Sequence, residues 1–228
     1  MTTKYSKEEI ERILEDHSFE YQKVALPYGL QTPGADRSDT LSLVYPESLE
    51  GRSVLDIGSA NGFFCFEAEA RGARRVVGVE IKEKRYKASL VIKDILGSHV
   101  EFICRDILDT PLNERFDYVL LLNLIHHLKE PFRALRSFAQ LALECMIIEF
   151  PTFADKKFRM GAGIRVPWPY DRLPLVGVSS LKDPHIDQTF VFTKGAIERV
   201  LLDHEPLFKR IQFKHSPMQG RLIATCFK

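Results

Sequence analysis

The sequence predicts an α/β fold: a mostly parallel sheet that ends in an antiparallel hairpin at its C-terminal side. Three observations lead there. Between residues 51 and 151, short apolar runs alternate with longer helix-like ones. Those apolar runs are near-continuous, the pattern of strands in a parallel sheet covered on both faces. Past residue 190 the pattern changes, and a helix-like stretch precedes two strand-like runs joined by the hairpin-like Ser216-Pro-Met-Gln-Gly-Arg221.

In chain order, Ser6 and Glu9 form an S-x-x-E capping box with Ile10, Ile13 and Leu14 as an apolar stripe behind it, which predicts a short amphipathic helix. Residues 19–50 are rich in Pro, Gly and aromatics and read as loops and turns leading into the domain. The expected strands are Ser53–Ile57, Arg75–Ile81, Val100–Cys104, Tyr118–Leu122 and Cys145–Phe150, with helices over Gly62–Arg71, Glu83–Leu96 and Pro131–Leu143. In the tail, a helix over Thr193–Asp203 leads to strands Lys209–Lys214 and Leu222–Phe227, giving seven strands in all. Residues 152–190 are long, weakly periodic and studded with Pro and Gly. A segment of that length between sheet strands reads as a substrate lid. The expected organisation is one domain over 1–228: an N-terminal helix and lead-in segment (1–50), a ligand-binding half (51–151), the lid (152–190), and the C-terminal helix and hairpin (191–228).

Composition narrows the function classes. The chain has 45% hydrophobic and 28% charged residues, the balance of an ordinary globular protein. With 32 basic and 31 acidic residues, no global field draws it to nucleic acid or to an anionic membrane. The charged N-terminal stretch is unlike a signal peptide and no apolar run reaches the length of a membrane span. Cys65, Cys104, Cys145 and Cys226 are scattered without CxxC spacing, which fits free thiols in a reducing, cytoplasmic setting.

The chemistry concentrates in Asp56-Ile-Gly58-Ser-Ala60-Asn-Gly62, a small-residue turn after the first strand. A dinucleotide fingerprint would need G-x-G-x-x-G. This turn instead follows D-x-G-x-A-x-G, which resembles motif I of class I S-adenosylmethionine-dependent methyltransferases. The alternative is a tight turn that holds nothing. Glu80, at the end of the second strand, and Asp106-Ile107, just past the third, follow in the order of that superfamily. The resemblance covers roughly residues 54–150 and implies a Rossmann-like class I methyltransferase fold with S-adenosylmethionine as cofactor. It implies cofactor contacts from Asp56, Gly58, Ser59, Ala60 and Gly62, ribose binding by Glu80, an apolar neighbour in Ile81, adenine contacts from Asp106 and Ile107, and a contact from Asn123.

A closer resemblance reaches upstream. Tyr21-x-Lys23, Tyr28-Gly29, Thr32-Pro-Gly34, Arg37-Ser-Asp39 and, later, His127-Leu-Lys-Glu-Pro131 are similar to stretches of the tRNA wobble-uridine carboxymethyltransferase family. In that family a lysine and a tryptophan–lysine pair grip the extra carboxylate of carboxy-S-adenosylmethionine. Lys23 matches the first lysine, whereas Asp36 and Leu41 stand where the pair would fall. Asp36 would repel a carboxylated donor, so ordinary S-adenosylmethionine is expected.

Methyl transfer needs alignment, exclusion of water and, where the acceptor demands it, removal of a proton. His126 and His127, past the fourth strand, are the candidate catalytic groups, with capping or packing as the alternative. No histidine pairs with cysteine at metal-site spacing. His185 with Asp187 is a second acid–base candidate. In the lid, Arg165, Trp168 and Tyr170, with Arg159 and Arg172 nearby, suit a small RNA groove or the wall of an apolar small-molecule pocket; packing of the lid is the third alternative. The leading expectation is a small-molecule O- or N-methyltransferase without membrane association. A tRNA-modifying enzyme and an inactive S-adenosylmethionine-binding partner are the alternatives.

Overall fold

The computed structural model describes residues 3–155, 171–178, 190–204 and 206–228. Two compact units divide it, residues 1–112 and 113–228.

The first unit opens with helix α1 (Lys7–Asp16), started by the expected capping box: the Glu9 amide donates to Ser6 Oγ and the Ser6 amide to Glu9 Oε2, at 3.2 and 2.7 Å. The lead-in segment is more ordered than its composition predicts, because it contains helix α2 (Ser38–Val44). Asp36 starts that helix by accepting from the amide and hydroxyl of Ser38 at 2.9 and 2.7 Å, and Thr40 and Val44 bury its inner side. Strands β1 (Ser53–Ile57), β2 (Arg75–Glu80) and β3 (Glu101–Cys104) pair in parallel, with Val54 opposite Val76 and Glu80 opposite Cys104. Helices α3 (Phe63–Ala70) and α4 (Glu83–Leu96) are the crossovers. Their core contributions, Phe63, Phe64, Phe66, Ile92 and Ile95, are buried, and burying each such side chain stabilises by about 1.5–3 kcal/mol.

The second unit pairs β4 (Phe116–Leu122) with β5 (Ala142–Pro151) in parallel around helix α5 (Pro131–Leu141). β5 begins three residues before the expected Cys145. Ala142 and Leu143 fit a helical stripe by pattern, but pairing of Ala142 with the fully buried Phe116 draws this stretch into the sheet. β8 (Arg210–His215) and β9 (Arg221–Phe227) form the expected antiparallel hairpin, and β9 pairs antiparallel with β5. The C-terminal helix runs as α6 (Lys194–Glu198), capped by the Thr193 hydroxyl, and then as a π-helix over Arg199–His204. A small antiparallel ribbon that the sequence pattern did not signal pairs β6 (Val176–Val178) with β7 (Phe190–Phe192), and β6 lies inside the segment expected to be a lid. The other seven strands are ordered β3-β2-β1 in the first unit and β4-β5-β9-β8 in the second.

Gly62 and Gly51 offer a controlled test of one turn. Both have positive φ, but a Cβ on Gly62 would lie 2.5 Å from Phe102 Cζ, whereas nothing lies within 4 Å of one on Gly51. Gly51→Ala should therefore carry only the left-handed backbone penalty of about 1–2 kcal/mol. Gly62→Ala adds overpacking of roughly 1–3 kcal/mol. Urea-unfolding midpoints should show Gly62→Ala as the more destabilised variant.

Candidate functional site

In the first unit, the turn after β1 alternates left-handed residues: Gly58, Ala60 and Gly62 have φ of 80°, 50° and 88°. Ala60 is the informative one, because a residue with a Cβ rarely stays there without outside support. The support is Glu80. Its buried carboxylate accepts from the Ala60 amide at 2.9 Å and from the Lys82 amide at 2.8 Å. The Gly58 and Ser59 amides both donate to the Val79 carbonyl, so the turn is fastened to the end of β2. Each Glu80 oxygen makes one of these bonds and keeps a further lone pair for a ligand hydroxyl. Ile81, the next residue, is 60% exposed, an apolar side chain left on water beside a buried carboxylate. Past β3, Asp106 accepts from the Leu108 amide at 2.9 Å in a local turn, and Ile107 is buried.

Asp56 is sealed beneath this turn. Its carboxylate accepts a long bond from the Cys65 thiol at 3.7 Å. Burial pushes its pKa up to about 7, and the neighbouring Glu80 charge adds to the rise, while the Cys65 contact and the Arg37 charge oppose it.

The lead-in segment is bolted to the same turn by residues the sequence did not single out. Asn61 donates to the Glu20 carbonyl at 2.6 Å and more weakly to that of Gln22. The Gln22 side chain accepts from the Phe63 amide at 3.3 Å. Only the polar character of Asn61 within a small-residue turn signalled this. Lys23 forms an ion pair with Asp36 at 3.1 Å. Hydrogen bonds from Ser38 and Lys23 hold the Asp36 carboxyl well below its ordinary range, so it stays charged.

In the second unit, the structure gathers Asn123, His126 and His127 at the end of β4. Asn123 has φ of 57°, its backbone amide donates to the Glu149 carbonyl at 3.0 Å, and its side chain bonds Glu149 and Arg221. Arg221 also lies 3.4 Å from Asp155, and Ser216 donates to Glu149. His126 is fully buried and His127 exposed, their ring centroids 4.0 Å apart. Glu149, Asp155 and Arg221 carried no recognisable pattern in the sequence. The expected substrate contacts Arg165, Trp168 and Tyr170, with Arg159, His185 and Asp187, lie outside the described residues. Among the described residues, no group of three or more His, Cys, Asp or Glu is placed to hold a metal ion, and no helix is long and apolar enough to cross a membrane.

Residues 55–143 match the family described as a methyltransferase domain. This stretch of the chain is similar to a methyltransferase domain. The match begins in β1 and includes the turn, Glu80, Asp106 and the two histidines. The domain is similar to the tRNA U34 carboxymethyltransferase of Cellvibrio japonicus, 32% identical over 111 residues, covering 44% of this chain and 34% of that relative. The relative from Saccharophagus degradans is 26% identical over 114 residues, with the same coverage. The matched stretch thus spans about a third of these relatives' length. Among solved structures, the N-terminal domain of EvdMO1 in the presence of SAH and D-fucose superposes with a TM-score of 0.71 at 15% identity, covering 98% of this chain and 97% of that one. Magnesium protoporphyrin IX methyltransferase from Synechocystis PCC 6803 with bound SAH gives 0.57 at 18% identity, over 79% and 75% of the two chains. The fold is the class I methyltransferase fold, with its mostly parallel sheet and antiparallel C-terminal strands.

The raised pKa of Asp56 has a sign that can be checked. The folded state holds this proton more tightly than the unfolded chain, so the contribution to stability is complete below about pH 4, the unfolded value, and is lost as pH rises through about 7. Asp56→Asn removes the titration. Wild type should therefore gain stability relative to Asp56→Asn as pH falls from 8 to 5, read as the difference in urea midpoints.

Proposed function

We propose that the protein transfers a methyl group from S-adenosylmethionine to an oxygen or nitrogen of a small molecule. The observation that carries this reading is the left-handed Ala60 turn fastened to the Glu80 carboxylate. It brings a run of small residues to the carboxyl ends of two parallel strands, where open α/β sheets take their ligands. In this reading Glu80 uses its remaining lone pairs on the ribose hydroxyls, and Ile81, Asp106 and Ile107 serve the adenine. The exposed Ile81 supports the fit, since a flat base would cover an apolar side chain otherwise left on water. The sulfonium cofactor supplies an activated methyl group; the chain's part is to hold and align its partners and to take up a proton. Of the two imidazoles, His127 has the exposure that proton transfer to an acceptor requires.

The choice of donor follows from Lys23. Its ammonium is already neutralised by Asp36, itself charged throughout the physiological range. A carboxylated donor would meet a cation–anion pair in place of a clamp. The small-molecule acceptor is favoured by the near-balanced charge of the chain, +1 at pH 7, and by the similarity, over nearly the full chain, to a domain crystallised in the presence of D-fucose. The second reading, modification of a tRNA wobble uridine, rests on the relatives that match this chain over about a hundred residues.

Calorimetric titration with S-adenosylmethionine should show binding, and Glu80→Ala should weaken it by roughly 1.5–3 kcal/mol for each hydrogen bond lost to the charged group. Unchanged affinity in that variant would remove Glu80 from the site. In competition, plain S-adenosylmethionine should bind at least as tightly as its carboxylated form; a clear preference for the latter would overturn the reading of Lys23. Incubation with labelled S-adenosylmethionine and a fractionated native extract should place label in the small-molecule pool. Label in tRNA would favour the second reading.

A further inference from the structure

Tyr21 is one of two exposed tyrosines of the first unit at positive φ, the other being Tyr28. Tyr21 is a bulky residue with φ of 85°, in the left-handed region, and its side chain is 43% exposed. A tyrosine there is strained, by an amount glycine would avoid. Such strain persists only where the surroundings over-determine the backbone, and here they do. The Asn61 side chain binds the Glu20 and Gln22 carbonyls on either side of Tyr21. The Tyr21 carbonyl itself accepts from the Ala35 amide at 3.0 Å. Thr32 Oγ1 donates to the Gln22 carbonyl and accepts from the Val24 amide, closing the strip from behind.

All this order presents one aromatic ring. The anchor is Asn61, which belongs to the turn after β1, so the strip lies directly on that turn. A second set of contacts reaches the first turn of α4, just past the end of β2: Lys84 pairs with Glu20 at 2.6 Å, and the Arg85 guanidinium lies 4.4 Å from the centre of the Tyr21 ring. The strip that carries the ring is therefore tied both to the turn after β1, which Glu80 also binds, and to the start of α4. Arg85 lies against the ring, and Tyr21 stays 43% exposed.

We infer that Tyr21 is a binding residue for the nucleoside part of the donor, closing over it from the lead-in strip with its ring steadied by Arg85. An aromatic face stacks on any nucleobase or sugar face without needing hydrogen bonds, and a ring held in advance loses little rotamer freedom on binding. Backbone strain is then retained because it aims the ring. The inference rests on S-adenosylmethionine being the ligand of this site.

The test uses the full-length protein, S-adenosylmethionine as probe, calorimetry for affinity and thermal unfolding for stability. Tyr21→Gly releases the strain and removes the ring, and Tyr21→Asn, tolerated in the left-handed region, guards against a general loosening of the strip. Both should keep or raise the melting temperature while weakening S-adenosylmethionine binding about tenfold or more, the scale of a lost base–aromatic stack. Tyr21→Phe should bind like wild type. If wild type binds and both ring-less variants bind equally well, Tyr21 is not part of the site. If affinity and melting temperature collapse together in both, the ring is a structural prop and the inference also fails. Absence of binding by wild type would instead overturn the proposed cofactor, and the role of Tyr21 with it.

Discussion

A carboxylate buried at the end of a strand persists only if hydrogen-bond donors replace the water it has lost, and Glu80 obtains two of them from backbone amides. That exchange organises the rest of the first unit. The Ala60 amide donates to Glu80 from the left-handed region, and the reversal there, with those at Gly58 and Gly62, carries the chain from β1 into α3. The Lys82 amide fixes how the chain leaves β2 for α4. A single side chain thus sets the geometry of two crossovers, and the lead-in strip is attached to the result through Asn61 and Gln22. Asp56 lies close enough to feel Glu80 electrostatically. Burial is the main cause of the raised pKa of Asp56, and because two buried carboxylates in one neighbourhood disfavour double ionisation, the Glu80 charge adds to that rise.

The second unit meets a similar problem with a larger network. Asp155, Arg221, Asn123, Glu149 and Ser216 bring charged and polar groups into a buried setting, where each needs partners. Together they join the ends of β4, β5 and β9 to the residues just past β5. Gly220 belongs to this arrangement, because a Cβ there would lie 2.5 Å from Asp155 Cα. Asn123 keeps its left-handed backbone through these bonds, much as Ala60 does through Glu80. The turn carrying His126 and His127 follows immediately.

Charge also separates this chain from the carboxymethyltransferases whose lead-in stretches it resembles. A lone lysine would attract anions, but Asp36 satisfies Lys23 at close range. The exposed pair adds little stability. In the proposed reading of the site, a carboxylate arriving at Lys23 would have to compete with one already present.

The sequence alone determined the α/β class, the strand and helix order, the capping of α1, the antiparallel hairpin and the small-residue turn. These follow from local periodicity, caps and glycine positions, which are properties of neighbouring residues. It also marked Glu80 and Asp106 by their places at the end of the second strand and just past the third, through the resemblance to the methyltransferase superfamily. It misjudged the lead-in, where the helix α2 depends on the Asp36–Ser38 bonds, and it placed the start of β5 too late, because pairing with Phe116 overrides a helical stripe. Only the tertiary structure decided that Glu80 binds the Ala60 amide, that Asn61 bolts down the lead-in strip, that Tyr21 is held at positive φ under Arg85, and that His126 is buried while His127 is exposed. Each depends on groups tens of residues apart meeting within hydrogen-bonding or stacking distance. Periodicity carries no information about such meetings, because the satisfaction of buried polar groups is settled only when distant segments pack.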